Sequence, residues 1–163
     1  MLNALLMEKV NIKPLAVPSS VNGAAITGAR VKLDSGERVA IVITMGASTS
    51  AVVEFALKQH TAASGGSSKE LSVDNPYFYQ KNTDTSFTKV DIGGSAASTY
   101  TLTTHFTNYK GVVILEVLAD QLDIKNGYYW VSCDIADTTA AKVIGGLYLI
   151  HENKKLPAYD IAL

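Results

Sequence analysis

Three short apolar segments in the C-terminal half of the chain constrain its fold most strongly. They span residues 112–118, 128–133 and 142–150, and each is rich in β-branched and aromatic side chains. Polar connectors separate them, and the first connector ends in Asn126-Gly127, a pair typical of tight turns. Because consecutive strands of a sheet show this pattern, we predict that the three segments are the inner strands of a β-domain.

Apolar segments and turns also alternate through the rest of the chain. A hairpin is predicted over residues 25–45, with a turn at 34–37 between its two strands. Its second strand, 38–45, is apolar at nearly every position, which favours a central strand covered on both faces. The glycine- and serine-rich residues 62–68 are predicted to form a mobile surface loop, since they lack the spacing of a phosphate-binding loop and no helical pattern follows.

Two further segments alternate between apolar and polar residues. The predicted buried faces consist of Val53, Phe55 and Leu57 in one segment and of Tyr100, Leu102 and Phe106 in the other. A period of two is typical of a half-buried strand. In the second segment, His105 falls among threonines on the polar face, where a solvated or hydrogen-bonded histidine is expected.

About eight to ten short strands with almost no helical period indicate an all-β protein. We predict an antiparallel β-sandwich or jelly roll with an extended N-terminal arm. A length of 163 residues suits one domain, so residues 25–163 are predicted to form a single β-sandwich domain. Residues 1–24 are predicted to be the arm, or a lead-in that lies against the domain, because Pro14 and Pro18 prevent a continuing helix.

The charge balance and the lengths of the apolar runs argue against two classes of partner, nucleic acids and membranes. Fourteen basic and fifteen acidic residues leave a formal net charge of −1, so the basic excess that neutralises nucleic-acid phosphates is missing. No apolar run reaches the ~18 residues of a membrane span, and residues 1–9 do not have the pattern of a signal peptide. We therefore expect no nucleic-acid partner and no membrane partner, and synthesis as a soluble intracellular protein.

No catalytic pattern emerges from the sequence. His60, His105 and His151 are far apart in the chain and show no metal-type spacing. No Gly-x-Ser-x-Gly sequence marks a nucleophilic serine. We therefore expect that the protein is not an enzyme and that it has no catalytic residues, no cofactor and no metal site.

Two other groups of polar or reactive residues are interpreted as structural. Four connector aspartates suggest calcium at first sight, but their spacing fits no EF-hand loop, so carboxylates that cap local turns are expected instead. These residues are Asp120, Asp123, Asp134 and Asp137. The single cysteine, Cys133, lies in a predicted strand among small apolar residues, which predicts a buried, unreactive thiol.

Two aromatic clusters, at 77–79 and 128–130, have two interpretations. Aromatic residues in alternating strands usually belong to the core, and this interpretation is favoured. When exposed, Tyr and Trp are preferred contacts for a glycan or a protein partner. Candidate partner contacts come from the first cluster and from an apolar face of the N-terminal arm. These candidates are Leu2, Leu5, Leu6, Tyr77, Phe78 and Tyr79.

Four segments of the chain resemble a type of small virion protein encoded by tailed bacteriophages. They are RVAIVITMG at 38–46, FALKQHTAASGG at 55–66, VILEVLADQLD at 113–123 and KLPAYD at 155–160. In such phages, β-sandwich or jelly-roll proteins of this size serve as capsid decoration or cement proteins outside the shell. The resemblance implies a structural subunit at the capsid surface, made in the cytoplasm of the host bacterium. It further implies that the major capsid protein is the partner, that the chain forms a homo-oligomer (a dimer or trimer), and that no catalytic residues carry over.

Other roles for such a sandwich stay open. One is a carbohydrate-binding module that uses Tyr or Trp platforms, as on a viral fibre or an enzyme accessory domain. Another is a different virion component, either a tail protein or a head–tail connector. Copurification with intact particles in many copies would distinguish the decoration protein from a glycan-binding module.

Overall fold

The computed structural model describes residues 10–47, 53–92, 95–102, 106, 108–138 and 140–151. This part of the chain contains eleven β-strands and two short 3-10 helices. In chain order the strands are β1 (Val10–Ser20), β2 (Val31–Lys32), β3 (Arg38–Met45), β4 (Glu54–His60), β5 (Ser68–Glu70), β6 (Tyr77–Lys81), β7 (Thr88–Val90), β8 (Thr99–Thr101), β9 (Gly111–Leu118), β10 (Trp130–Ile135) and β11 (Val143–His151). The 3-10 helices, Ala119–Gln121 and Ile124–Asn126, lie between β9 and β10.

The strands form two antiparallel sheets around one core. The first sheet has six strands in the order β1-β11-β3-β9-β6-β7. The second has five, with the order β2-β10-β4-β5 and with β8 also paired to β4. The buried apolar side chains of both sheets belong to a single cluster. The prediction of an all-β antiparallel sandwich is therefore confirmed, while its jelly-roll variant stays a prediction.

The three apolar segments at 112–118, 128–133 and 142–150 contain strands, as predicted, but these strands do not lie side by side. β9 and β11 flank β3 in the first sheet, whereas β10 lies in the second sheet between β2 and β4. The connector from β9 to β10 buries Ala119 and Leu122 and leads the chain to the opposite sheet. A strand with one apolar face fits either sheet of a sandwich, so the local pattern does not specify its neighbours.

The prediction of a hairpin over residues 25–45 is wrong. The turn itself forms, with the Glu37 amide donating to the Asp34 carbonyl at 3.0 Å. Its flanking strands separate, however, because β2 pairs with β10 while β3 pairs with β11 and β9. β3 is central, as predicted, but only one of its faces is fully buried. The buried residues of that face are Val39, Ile41, Ile43 and Met45.

The apolar faces of the two alternating segments are buried, as predicted. The side chains of Val53, Phe55, Leu57, Tyr100, Leu102 and Phe106 are all at most 3% exposed. The Phe55 and Tyr100 rings stack with their centroids 5.1 Å apart, which joins β4 to β8 inside the core. His105 lies outside the described residues, so its expected place on the polar face stays a prediction.

The described part of the predicted arm is an edge strand of the first sheet. β1 pairs antiparallel with β11 from Val10 to Ser20, with register shifts on both sides of Ala16. Leu15 points into the core and is 3% exposed. Residues 1–9, and with them Leu2, Leu5 and Leu6, lie outside the described residues.

Tyr148 connects the two sheets through its hydroxyl. Its side chain starts on β11, is fully buried, and reaches across the core to β10. There the backbone amide of Cys133 donates a hydrogen bond to the Tyr148 hydroxyl oxygen at 3.1 Å. β2 pairs with β10 only at Trp130 and Val131, so the phenol supplies the acceptor that a longer β2 would otherwise provide.

Candidate functional site

The solvent face of the first sheet carries a continuous row of apolar side chains. The strand register places one residue from each of β1, β11, β3, β9 and β6 directly beside the next. These residues, here called the outer apolar row, are Pro14, Leu147, Val42, Ile114 and Phe78. The alternate positions on the same strands, such as Ile41, Leu115 and Tyr148, are buried in the core. The row therefore lies on the opposite, outward face.

The outer apolar row is open to solvent along its length. Phe78 is 37% exposed, Pro14 is exposed, and the other three side chains are half-buried. A second apolar row lies beside it, in which Ile12, Leu149 and Ala40 are direct neighbours. Antiparallel sheets with one solvated face usually carry polar residues there. Two adjacent apolar rows on that face indicate an interaction surface.

Charged residues border this surface without interrupting its centre. Lys89 of β7 lies beside Phe78 and forms an ion pair with Asp91, at 2.7 Å between Nζ and Oδ1. Glu116 ends the second row beside Ala40. Beyond the second row, Arg38 and His151 line a shallow depression of about 300 Å³. The surface thus has an apolar centre and a polar border, the usual composition of a protein–protein contact.

The structure separates the three aromatic candidates of β6. Tyr77 is 6% exposed and packs its ring edge against Tyr100, with the centroids 6.0 Å apart, so it is a core residue. Burial raises the pKa of the Tyr77 hydroxyl. Tyr79 is half-buried and packs against Phe106 at 5.7 Å. Phe78 alone of the three belongs to the outer apolar row.

Sequence reasoning missed the other four members of that row. They come from four strands that are distant in sequence and become neighbours only through the register of the sheet. One local signal was available in β3, which is apolar at nearly every position. That pattern predicts a strand covered on both faces, whereas Val42 is only half-buried on the outer side.

The second aromatic cluster lies at one end of the second sheet. The Nζ of Lys69 lies 4.3 Å from the centre of the Tyr128 ring and also forms an ion pair with Asp123. This lysine covers one face of the Tyr128 ring. Tyr129 is 38% exposed, and Trp130 is half-buried beside Lys32.

A buried histidine between two serines is a feature that the sequence analysis did not find. His60, at the end of β4, is 3% exposed. Its Nδ1 lies 2.7 Å from the hydroxyl of Ser68 on β5, and its Nε2 lies 2.8 Å from the hydroxyl of Ser132 on β10. Ser68 is 8 residues and Ser132 is 72 residues away in sequence, so only the pairing of three strands brings them together.

The protonation of this cluster follows from the burial of Ser132, which is 1% exposed. Its hydroxyl must donate to an acceptor, and within the described residues its hydrogen-bond partner is His60 Nε2. Nδ1 then carries the ring proton and donates to Ser68. In this tautomer His60 does not accept the Ser68 proton, so the geometry does not activate Ser68 as a nucleophile.

Three of the four former calcium candidates bind donors of the chain itself. Asp123 accepts from Lys69 and Asn126, Asp134 from Lys58 and the Gly28 amide, and Asp137 from the Gly23 amide. Within the part of the chain that is described, no group of three or more metal-ligating side chains occurs. Cys133 is fully buried, as predicted, and burial raises the pKa of its thiol.

Comparison with known proteins gives no family for the chain. No protein-family model matches it, and no curated protein matches it significantly. Among the described residues, no helix is long and apolar enough to cross a membrane. The function is therefore inferred from the surfaces of the molecule.

Proposed function

We propose that this chain is a structural protein of a tailed-phage virion, a decoration or cement subunit that binds the capsid shell through the outer apolar row. The observation that supports the proposal is the row itself, an apolar strip across five strands on the solvent side of the first sheet. The partner is the major capsid protein. The resemblance of four sequence segments to phage virion proteins supports the same conclusion.

The sheet edges favour contact through this face. β2, β5 and β7 are edge strands of only two or three residues, too short to template another strand. β1 is a long edge strand, but Pro14 and Pro18 remove two amide donors from it. Because natural proteins protect their edges in these ways, the sheet face is the surface left for stable association.

The contribution of Phe78 to such a contact can be approximated from its exposure. It is 37% exposed, and an aromatic side chain has roughly 200 Å² to bury. Covering the exposed part of the side chain removes about 75 Å² from water, and at about 25 cal/mol per Å² this stabilises the contact by about 2 kcal/mol. A charged replacement at this position should therefore weaken binding by about thirtyfold or more.

The test compares two lysine substitutions on opposite faces of the sandwich. Phe78→Lys places a charge in the outer apolar row, while Thr99→Lys places the same charge at an exposed position on the second sheet. Each full-length variant is incubated with shell particles lacking this protein, from the phage that encodes the chain. Bound copies per particle are counted by quantitative mass spectrometry, and sedimentation of the free protein reports whether it is a dimer or trimer.

With the free protein near the dissociation constant of the wild type, we expect near-normal occupancy for Thr99→Lys and a loss of at least tenfold for Phe78→Lys. Equal occupancy of the two variants would show that the outer apolar row is not the shell contact. Absence of the protein from native virions would overturn the structural role altogether. Glycan binding by the isolated chain together with that absence would support the carbohydrate-binding alternative, and a copy number far below that of the shell protein would indicate a tail or connector position.

A further inference from the structure

The His60 cluster lies on the second sheet, away from the outer apolar row, and it is coupled to the loop that follows β4. Arg30 reaches over this loop and donates from Nη1 to the carbonyl oxygens of Ala62 and Gly65, at 2.9 and 2.6 Å. Its Nη2 lies 3.4 Å from the hydroxyl oxygen of Ser68, the same oxygen that His60 Nδ1 contacts. The guanidinium and the imidazole therefore share one hydroxyl.

We propose that Arg30 and His60 form an acid-sensitive latch, which holds the loop at residues 61–67 closed near neutral pH and releases it when His60 takes up a proton. In the closed state the loop has two hydrogen bonds of its own. The Thr61 amide donates to the Ser67 carbonyl at 3.1 Å, and the Ser67 amide donates to the Thr61 hydroxyl at 3.0 Å. Arg30 adds two more across the loop.

Protonation disturbs the closed state in two ways. The new proton on Nε2 turns that nitrogen into a donor, so the buried hydroxyl of Ser132 loses the acceptor for its own hydrogen. The imidazolium also becomes a second cation beside the Arg30 guanidinium, in a site with little access to water. Both effects favour a state in which the loop opens and His60 meets solvent.

The other charges around the imidazole do not cancel this repulsion. Lys58 lies on the same strand and face as His60, and Asp134 lies on β10. Asp134 Oδ2 is already paired with the Lys58 ammonium at 2.8 Å, and Asp134 Oδ1 accepts from the Gly28 amide. On β5, Lys69 and Glu70 follow Ser68, and the Glu70 carboxylate accepts from Ser98. On β2, Lys32 pairs with Asp34.

The direction of the pH effect follows from linkage. Burial, reinforced by Arg30, lowers the pKa of His60 below its ordinary value of 6.5. The closed loop is then fully stable above pH 6.5. Its stability decreases as the pH is lowered from 6.5 to the pKa of His60 in the closed state. Within that window the population of the open loop should increase about tenfold per pH unit.

Two NMR measurements on the full chain test the latch. The nitrogen shifts of the imidazole report the tautomer, and we expect the Nδ1–H form of His60 at pH 7.5. Amide hydrogen exchange at Ser67, corrected for its intrinsic pH dependence, reports loop opening between pH 7.5 and pH 5. His60→Gln removes the titrating ring, while His151→Gln, at an exposed position on β11, removes a histidine unrelated to the loop.

The wild type and His151→Gln should both show corrected exchange at Ser67 that accelerates about tenfold per pH unit below 6.5, and His60→Gln should not. The same acceleration in His60→Gln would overturn the latch. If His60→Gln does not fold, the wild-type titration is sufficient: His60 titrating at 6.5 or above, or loop exchange unchanged on acidification, refutes the proposal.

Discussion

Replacing Tyr148 by Phe tests how the two sheets are tied together. The substitution keeps the aromatic ring and removes only the hydroxyl that accepts the Cys133 amide at 3.1 Å. Tyr148 and Cys133 are both fully buried, so no bulk water takes over as the acceptor. The variant should therefore fold to the same structure with one buried amide left without a partner.

An unsatisfied buried donor costs about 1–3 kcal/mol. Because the ring stays and no large cavity forms, the loss of this hydrogen bond should account for most of the change. For a domain of this size each kcal/mol lowers Tm by about 2–4 °C. We therefore expect Tyr148→Phe to reduce the free energy of unfolding by about 1–3 kcal/mol, measured by urea denaturation with unchanged slope.

Tyr129→Phe is the matched control, since it removes the same atom from a side chain that is 38% exposed. Its stability should change by less than about 0.5 kcal/mol. If Tyr148→Phe is as stable as Tyr129→Phe, the hydroxyl does not satisfy the Cys133 amide, and the proposed role of the phenol beyond the end of β2 is refuted.

Two further predictions concern backbone contact and buried charge. A Cβ at Gly28 would lie 2.1 Å from the Cys133 carbonyl oxygen, whereas at Gly46 the nearest atom is 3.6 Å away. Urea denaturation should show that Gly28→Ala lowers the free energy of unfolding by about 3 kcal/mol, whereas Gly46→Ala changes it little. Equal losses in the two variants would contradict this. Lys142 is 1% exposed, donates to the Phe106 carbonyl, and has a pKa lowered by burial. Wild type should therefore gain stability relative to Lys142→Met as pH rises toward 10.5, and a constant difference would refute this.

The alternation of apolar and polar side chains along each strand is enough to predict much of the core. Val53, Phe55 and Leu57 lie inside because a strand with a period of two presents one apolar face, and water excludes that face wherever the strand pairs. The buried state of Cys133 follows from the same local reasoning. These properties depend on each segment's own composition.

The candidate sites depend on strand pairing, which the local pattern does not contain. Phe78 is a candidate from the sequence, but it forms a surface only because β9, β3 and β11 place Ile114, Val42 and Leu147 in line with it. His60 acquires its two serine partners in the same way, through the register of β4 with β5 and β10.

The sequence alone therefore determined that the chain forms strands, which faces are apolar and where the chain turns. Only the tertiary structure decided which strands became neighbours, and it placed β10 in the sheet opposite β9 and β11. The physical reason is that the burial of an apolar face is equally favourable in either sheet of a sandwich. The choice between them depends on the packing and hydrogen bonding of the whole chain, including single long-range bonds such as that between Tyr148 and Cys133.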